Sequence, residues 1–284
     1  MKLPKGVFSH YLAHAPKLTP TSLRRNLIAD QKLGYAGMVI VPAIIPKHYS
    51  PTKIAEAYSD VDMGGLVCGF IPGNGPSPFT EPKLVLKNLR RDARFAARFA
   101  ELELSEPVLV GPMHTHHMQR MPGWSLAKLE GWFEEMDGLA HEFELTILYE
   151  PLNATEDKTP KAFRTLLELV KGNEFRGIHF DTGHAYASNF CSGDQFKAME
   201  SEIGYFEFAN VGRWPLNSDR GISFETYAEW LPELPDDCIV GVEPFDPSVI
   251  KAFGLEKICT TTEPGRSALA MDAEYLRRLG VMAH

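Results

Sequence analysis

Four acidic residues in the second half of the chain fall at or near the ends of short apolar segments. They are Glu150, Asp181, Glu207 and Glu243. A carboxylate at the end of a buried apolar segment is costly unless it is paired or bound to a cation. Four such groups in one pocket of low dielectric would repel one another strongly, and a divalent cation relieves that repulsion. Carboxylate oxygens suit Mn²⁺ or Mg²⁺, so these residues predict a metal site.

The segments that carry these acids belong to a repeating pattern. Eight short apolar segments of strand type alternate with longer segments of helical spacing. The strand-type segments are 6–11, 37–41, 65–71, 107–110, 145–150, 177–181, 204–209 and 238–243. Such alternation implies parallel strands joined by helical crossovers, in a barrel or a doubly wound sheet. The count of eight and the lack of nucleotide-binding glycine motifs favour a single (β/α)8 TIM barrel over residues 1–284.

Composition and charge exclude several classes of protein. Hydrophobic residues make up 44% and charged residues 23% of the 284, as in soluble globular chains rather than disordered ones. The net charge of −8 argues against nucleic-acid and anionic-membrane partners. The four cysteines form no CxxC pair, and neither a signal peptide nor an 18-residue apolar stretch is visible. We therefore expect a cytoplasmic protein with reduced thiols.

Three local sequences around the acids carry a resemblance to a known group of enzymes. They are Tyr149-Glu150-Pro151-Leu152-Asn153, Phe180-Asp181-Thr182-Gly183-His184-Ala185 and Val242-Glu243-Pro244. These resemble the xylose isomerase-like TIM-barrel superfamily over essentially the whole chain, most closely its ketose 3-epimerase and hydroxypyruvate isomerase-like branch. In that branch a Glu, an Asp, a His and a second Glu on successive strand ends bind one divalent metal. The matching positions here are Glu150, Asp181, Glu207 and Glu243.

Glu207 is the point at which this sequence departs from the family pattern. It stands where the family usually has a histidine, and a glutamate there adds a negative charge. The resemblance then implies one divalent cation, with Mn²⁺ or Mg²⁺ preferred over Zn²⁺ or Co²⁺. The alternative is that Glu207 is not a ligand and that Asn210 or a water takes its place.

The resemblance also implies roles in a reaction. Glu150 and Glu243 would remove and return a proton as general base and acid, and they would bind the metal as well. His184 and Arg213 match the substrate-contacting His and Arg of the family and would stabilise an enediolate. Epimerisation, aldose–ketose isomerisation and loss of a β-hydroxyl share that intermediate, so the sequence does not separate them.

Four further side chains are candidates for contact with the substrate. His114 and His116 lie on the rim after the fourth strand, His10 ends the first strand, and Trp214 follows Arg213. Each also has a structural interpretation, as a solvent-facing loop residue, a hydrogen-bonded core histidine or a packing aromatic. His179 shares the inward face of its strand with Asp181, where it would support a ligand or fill the barrel.

The leading hypothesis is a divalent-metal-dependent sugar isomerase or epimerase that acts on a small ketose or related polyhydroxy carbonyl compound. A hydro-lyase of the inosose or dehydroshikimate dehydratase type is the main alternative. An endonuclease IV-like nuclease fits poorly with the acidic charge. The fourth hypothesis is a metabolite-binding barrel without catalysis, in which the acids pair with basic residues or cap helices. The sequence does not fix the oligomeric state, and a homo-oligomer is compatible with it.

Overall fold

The strands close into a barrel. The computed structural model describes residues 6–69, 77–111, 122–150, 167–190, 192–219, 222–257 and 259–283. Every strand pairs in parallel with the next along the chain, and the last pairs with the first, so the predicted (β/α)8 barrel is confirmed. The strands are β1 Val7–His10, β2 Gly37–Ile40, β3 Gly64–Cys68, β4 Val108–Val110, β5 Thr146–Tyr149, β6 Arg176–Asp181, β7 Ile203–Phe208 and β8 Ile239–Val242.

Helices cover the outside of the barrel or follow the strand ends. Among the described residues they are α1 Pro20–Lys32, α2 Pro51–Ser59, α3 Pro82–Glu101, α4 Leu126–Phe143, α5 Thr182–Ala187, α6 Gly193–Lys197, α7 Glu225–Trp230, α8 Pro247–Phe253 and α9 Gly265–Arg278. None of them has the length and apolar character needed to cross a membrane.

Local sequence explains where α1 begins and ends. Thr19 and Ser22 form a reciprocal capping box, with proline in the first turn. The helix ends before Gly34, whose φ of +90° is the left-handed conformation that favours glycine. The residues Thr19-Pro20-Thr21 and Gly34 predict both of these boundaries from the sequence.

The region after β6 differs from expectation. Helical spacing in the sequence after the sixth strand segment predicts one helix at about 192–202, but the chain forms two short helices, α5 and α6. Helix α5 begins immediately after the strand because the Asp181 side chain accepts a hydrogen bond from the backbone of His184 and caps it. This early start brings His184 back over the end of the barrel.

The barrel interior is closed by apolar side chains beneath the carboxyl ends of the strands. The Phe8 ring lies 2.5 Å from where a Cβ at Gly37 would stand, so only glycine fits beside it. The buried apolar cluster inside the barrel consists of Phe8, Val39, Leu66, Val110, Leu148, Tyr205 and Ile239. This packing leaves the carboxyl end of the barrel as the place for polar chemistry.

Candidate active site

The structure brings the four predicted acids together at the carboxyl end of the barrel. Asp181 and Glu207 are register partners on β6 and β7, while Glu150 and Glu243 directly follow β5 and β8. Glu150, Asp181 and Glu207 are buried at 7%, 0% and 1% exposure. Such burial is costly for carboxylates and requires partners or a cation.

Three groups of potential metal ligands overlap at this point. In each group one donor atom per residue lies within 4.8 Å of the others. Because the groups share Glu150, Asp181 and Glu207, they form one continuous site. The groups found among the described residues are Glu150–Asp181–His184, Glu150–His179–Glu207 and Asp181–Glu207–Glu243. This donor set of carboxylate oxygens with imidazole nitrogen fits a divalent cation.

Arg213 compensates two of the acids. Its Nη1 donates to Asp181 Oδ2 at 2.9 Å, and its Nη2 forms an ion pair with Glu243 Oε2 at 2.5 Å. Burial acts to lower the pKa of Arg213, but the two carboxylates raise it well above its usual value, so the guanidinium stays charged. Burial raises the pKa of Glu243 well above its usual range, against the opposing effect of Arg213.

The backbone at Arg213 is unusual. Gly212 and Arg213 both have positive φ, +70° and +60°, and a non-glycine residue rarely adopts this conformation. The Gly212 carbonyl accepts bonds from the amides of Thr260 and Thr261, both at 3.0 Å. The guanidinium lies 5.6 Å from the centre of the Phe245 ring. The loop is therefore held in a strained turn that directs Arg213 to the acids.

An imidazole compensates the other side of the site. His179 Nε2 lies 2.9 Å from Glu207 Oε2, and its Nδ1 lies 3.7 Å from Glu150 Oε2. Tyr205 donates to the second oxygen of Glu207 at 2.7 Å. Burial acts to lower the pKa of His179, but Glu150 and Glu207 outweigh it and the pKa is raised.

Two further histidines each stand beside one glutamate. His184 Nε2 lies 3.2 Å from Glu150 Oε1, and its backbone N–H donates to Asp181 Oδ1 at 2.8 Å. His10 Nε2 lies 4.0 Å from Glu243 Oε1, and its Nδ1 accepts from the Leu12 amide at 3.2 Å. Burial and the charge of Arg213 lower the pKa of His10 to about 3, so this ring is neutral.

The remaining candidates are placed differently. The Asn210 side chain donates to the Pro215 carbonyl and accepts from the Val211 amide, so both of its polar atoms serve the loop and not the site. Trp214 is half-buried next to Arg213, and its indole N–H donates to Thr260 at 3.1 Å. The predicted contacts His114 and His116 lie outside the described residues.

Sequence reasoning missed two features of this site. Tyr205 was not considered, and His179 was assigned only a supporting or filling role. Each lies two residues before one of the acids, at Glu207 and Asp181, and therefore shares its inward face. That alternation was the available signal for both residues. Their contacts depend on the pairing of His179 with Tyr205 across β6 and β7, which the sequence does not give.

Comparison with known proteins gives a match in structure only. Neither protein-family models nor curated protein sequences match the chain. An L-ribulose 3-epimerase superposes with a TM-score of 0.79 at 15% identity, covering 99% of this chain and 95% of that one. A D-allulose 3-epimerase from Methylomonas sp. in complex with D-allulose gives 0.74 at 16% identity, over 98% and 99%.

A nuclease also shares the architecture. An AP endonuclease, family 2, from Brucella melitensis gives a TM-score of 0.57 at 17% identity, over 88% of this chain and 98% of that one. These matches confirm the (β/α)8 barrel fold. At such identities the activity has to be argued from the site itself.

Proposed function

We propose that this protein is a divalent-metal-dependent isomerase or epimerase that acts on a small ketose or related polyhydroxy carbonyl compound. The observation that carries the proposal is the convergence of four strand-end carboxylates with His184 and Arg213 at the mouth of the barrel. The structural likeness to ketose 3-epimerases, one of them holding D-allulose, supports a sugar as the substrate.

Glu150, Asp181 and Glu243 would hold the cation, with Mn²⁺ or Mg²⁺ favoured by their oxygens. The fourth position falls on the side of Glu207 and His179. When bound, such a cation polarises a substrate carbonyl and makes the neighbouring C–H more acidic. Among the described residues that form ion pairs with these four carboxylates, three of which are buried, Arg213 provides the one permanent positive charge. That imbalance is a second reason for a cation at this position.

Glu150 and Glu243 would carry the proton. They follow β5 and β8, which are separated by two strands of the barrel, so they approach the mouth from different sides. Epimerisation requires a base and an acid on opposite faces of one carbon. His184 lies 3.2 Å from Glu150 and can orient its carboxylate, while His10 lies 4.0 Å from Glu243.

Arg213 and His184 would receive the negative charge that develops on the substrate oxygens. Both present N–H donors at the site, and the guanidinium is held in place by the strained turn at Gly212. Preorganised donors of this kind stabilise the charge of a transition state most strongly where water is excluded. Trp214 would lie at the edge of the substrate, next to Arg213.

The test is cation-dependent C–H exchange. The protein is stripped with a chelator, supplied with Mn²⁺ or Mg²⁺, and incubated with a panel of ketoses in D₂O, with NMR detection of deuterium at the carbon next to the carbonyl. We expect exchange only with added cation. Absence of exchange with every sugar would contradict the proposal. A new ultraviolet absorbance without exchange would assign the chain to the hydro-lyases instead.

A further inference from the structure

We propose that His179 Nδ1 is the fourth protein ligand of the cation, and that Glu207 acts by positioning His179 and does not bind the cation itself. This inference rests on the proposed function, because it names a ligand of the same metal site. It reassigns Glu207, which the sequence pattern placed among the ligands, and adds a residue from the neighbouring strand.

The two ring nitrogens of His179 have different surroundings. An ionised carboxylate only accepts hydrogen bonds, so the 2.9 Å contact with Glu207 Oε2 is a donation from Nε2–H. In the neutral ring this leaves the lone pair on Nδ1. That atom is buried and makes no hydrogen bond with any described residue. A buried nitrogen lone pair that faces a carboxylate and has no hydrogen bond with a described residue has the chemistry of a cation ligand.

Both oxygens of Glu207 already have partners. One accepts from Tyr205 at 2.7 Å and the other from His179. Metal-binding histidines almost always donate their second N–H to a carboxylate or carbonyl, which fixes the tautomer and the ring orientation. The chain Tyr205–Glu207–His179 has this arrangement, with the tyrosine holding the carboxylate that holds the ring.

There is room for a cation on the Nδ1 side of the ring. His179 Nδ1 and Glu150 Oε2 are 3.7 Å apart, a separation that one ion at about 2.1 Å from each can bridge. Gly111 faces this gap: a Cβ there would lie 3.6 Å from Nδ1 and 3.8 Å from Glu150 Oε2. Gly111 also has a φ of +63°, which favours glycine. A side chain at this position would stand against both donors.

A nitrogen ligand changes the expected choice of metal. Carboxylates alone suit Mg²⁺ and Mn²⁺, whereas imidazole suits transition metals. We therefore expect the wild type to bind Mn²⁺ more tightly than Mg²⁺. Replacing His179 with glutamine should reduce that preference, because an oxygen then takes the place of the nitrogen.

The deciding experiment is pulsed EPR of Mn²⁺ bound to the chelator-stripped full chain, prepared with natural and with ¹⁵N-labelled histidine. We expect coupling to one imidazole nitrogen that changes with the label. The coupling should be absent from His179→Gln and retained in His184→Gln, the matched control beside Glu150. Glu207→Gln should keep the coupling but bind Mn²⁺ about 10–100-fold more weakly, as supporting residues of metal ligands do.

The outcomes separate this inference from the proposed function. Bound Mn²⁺ without nitrogen coupling overturns the inference and leaves the proposed function intact, whereas no bound Mn²⁺ overturns both. Coupling that is lost in His184→Gln assigns the ligand to that residue and also overturns the inference. If His179→Gln does not fold, coupling that persists in His184→Gln, His10→Gln and a double variant of His114 and His116 supports it.

Discussion

The two sides of the candidate site balance their acids in different ways. On one side Asp181 and Glu243 face Arg213, whose positive charge is permanent. On the other side Glu150 and Glu207 face His179, whose charge depends on a proton. A cation can replace the proton of an imidazole, but it cannot remove the charge of a guanidinium. Under the proposed function, the cation would therefore displace the proton on the histidine side, and Arg213 would keep its charge and contact the substrate.

The largest expected effect comes from the two proposed proton carriers, one on each side. Glu150→Gln and Glu243→Gln should each reduce epimerisation by about 10²–10⁴-fold, because an amide cannot act as general base. With Mn²⁺ raised far enough to saturate the weakened site, each variant should still exchange the C–H that faces the remaining glutamate, without inversion. NMR in D₂O starting from each epimer separately measures this. Equal loss of exchange from both epimers in both variants would contradict a separate proton-transfer role for each glutamate.

Removing the permanent charge tests the arginine side. Arg213→Met leaves the buried Asp181 and the partly buried Glu243 without their cationic partner, which should lower the free energy of unfolding by about 3–5 kcal/mol without metal. Added Mn²⁺ should restore a larger share of stability in the variant than in the wild type, since the ion then provides the positive charge that Arg213 no longer supplies. Denaturant unfolding with and without Mn²⁺ measures both effects. An unchanged stability without metal would contradict the role given to Arg213.

The histidine side depends on a glycine in β8. A Cβ at Gly241 would lie 2.1 Å from Tyr205 Oη, so Gly241→Ala must displace the tyrosine that holds Glu207. Overpacking of this kind costs about 1–3 kcal/mol of stability, and we expect weaker Mn²⁺ binding as well. Gly138→Ala is the matched control, because nothing lies within 4 Å of its Cβ position on α4. If both variants bind Mn²⁺ like the wild type, Tyr205 does not position the site.

The smallest effect on the site is expected at Asp272 on α9, which binds the chain three residues after Arg213. Asp272 accepts a hydrogen bond from the Leu216 amide at 2.7 Å, and burial raises its pKa to about 8. Between about pH 4 and 8 the folded state holds a proton that the unfolded state has lost. The free energy of unfolding should therefore fall as the pH rises through this window, by about 1.4 kcal/mol per pH unit from this group.

Asp272→Asn keeps an acceptor for Leu216 and removes the titration. In denaturant unfolding at several pH values, the free energy of unfolding should fall less steeply with pH in the variant than in the wild type. Activity at a fixed pH should be little changed. The same slope in both proteins would mean that Asp272 does not hold this proton.

Much of the architecture was predictable because it depends on local patterns. Alternating apolar strand segments and helical spacing gave the barrel, and the ends of parallel strands meet at one edge, so Glu150, Asp181 and Glu243 had to lie near one another. His184 and Arg213 were placed through the family resemblance.

The balance of charges within the site was not predictable in the same way. The contact of His179 with Glu207 depends on how β6 and β7 are aligned, including an irregularity between Ile178 and His179. The reach of Arg213 depends on a left-handed turn that a non-glycine residue seldom adopts. Both features arise from pairing and backbone geometry, which periodicity along the chain does not contain.

The central claim is that these residues form one divalent-cation site, and calorimetric titration of Mn²⁺ into chelator-stripped protein tests it most directly. The account predicts saturation at one ion per chain in the wild type, with binding strongly weakened in Glu150→Gln and Glu243→Gln. No binding by a folded wild-type protein, or binding that neither variant alters, would contradict it.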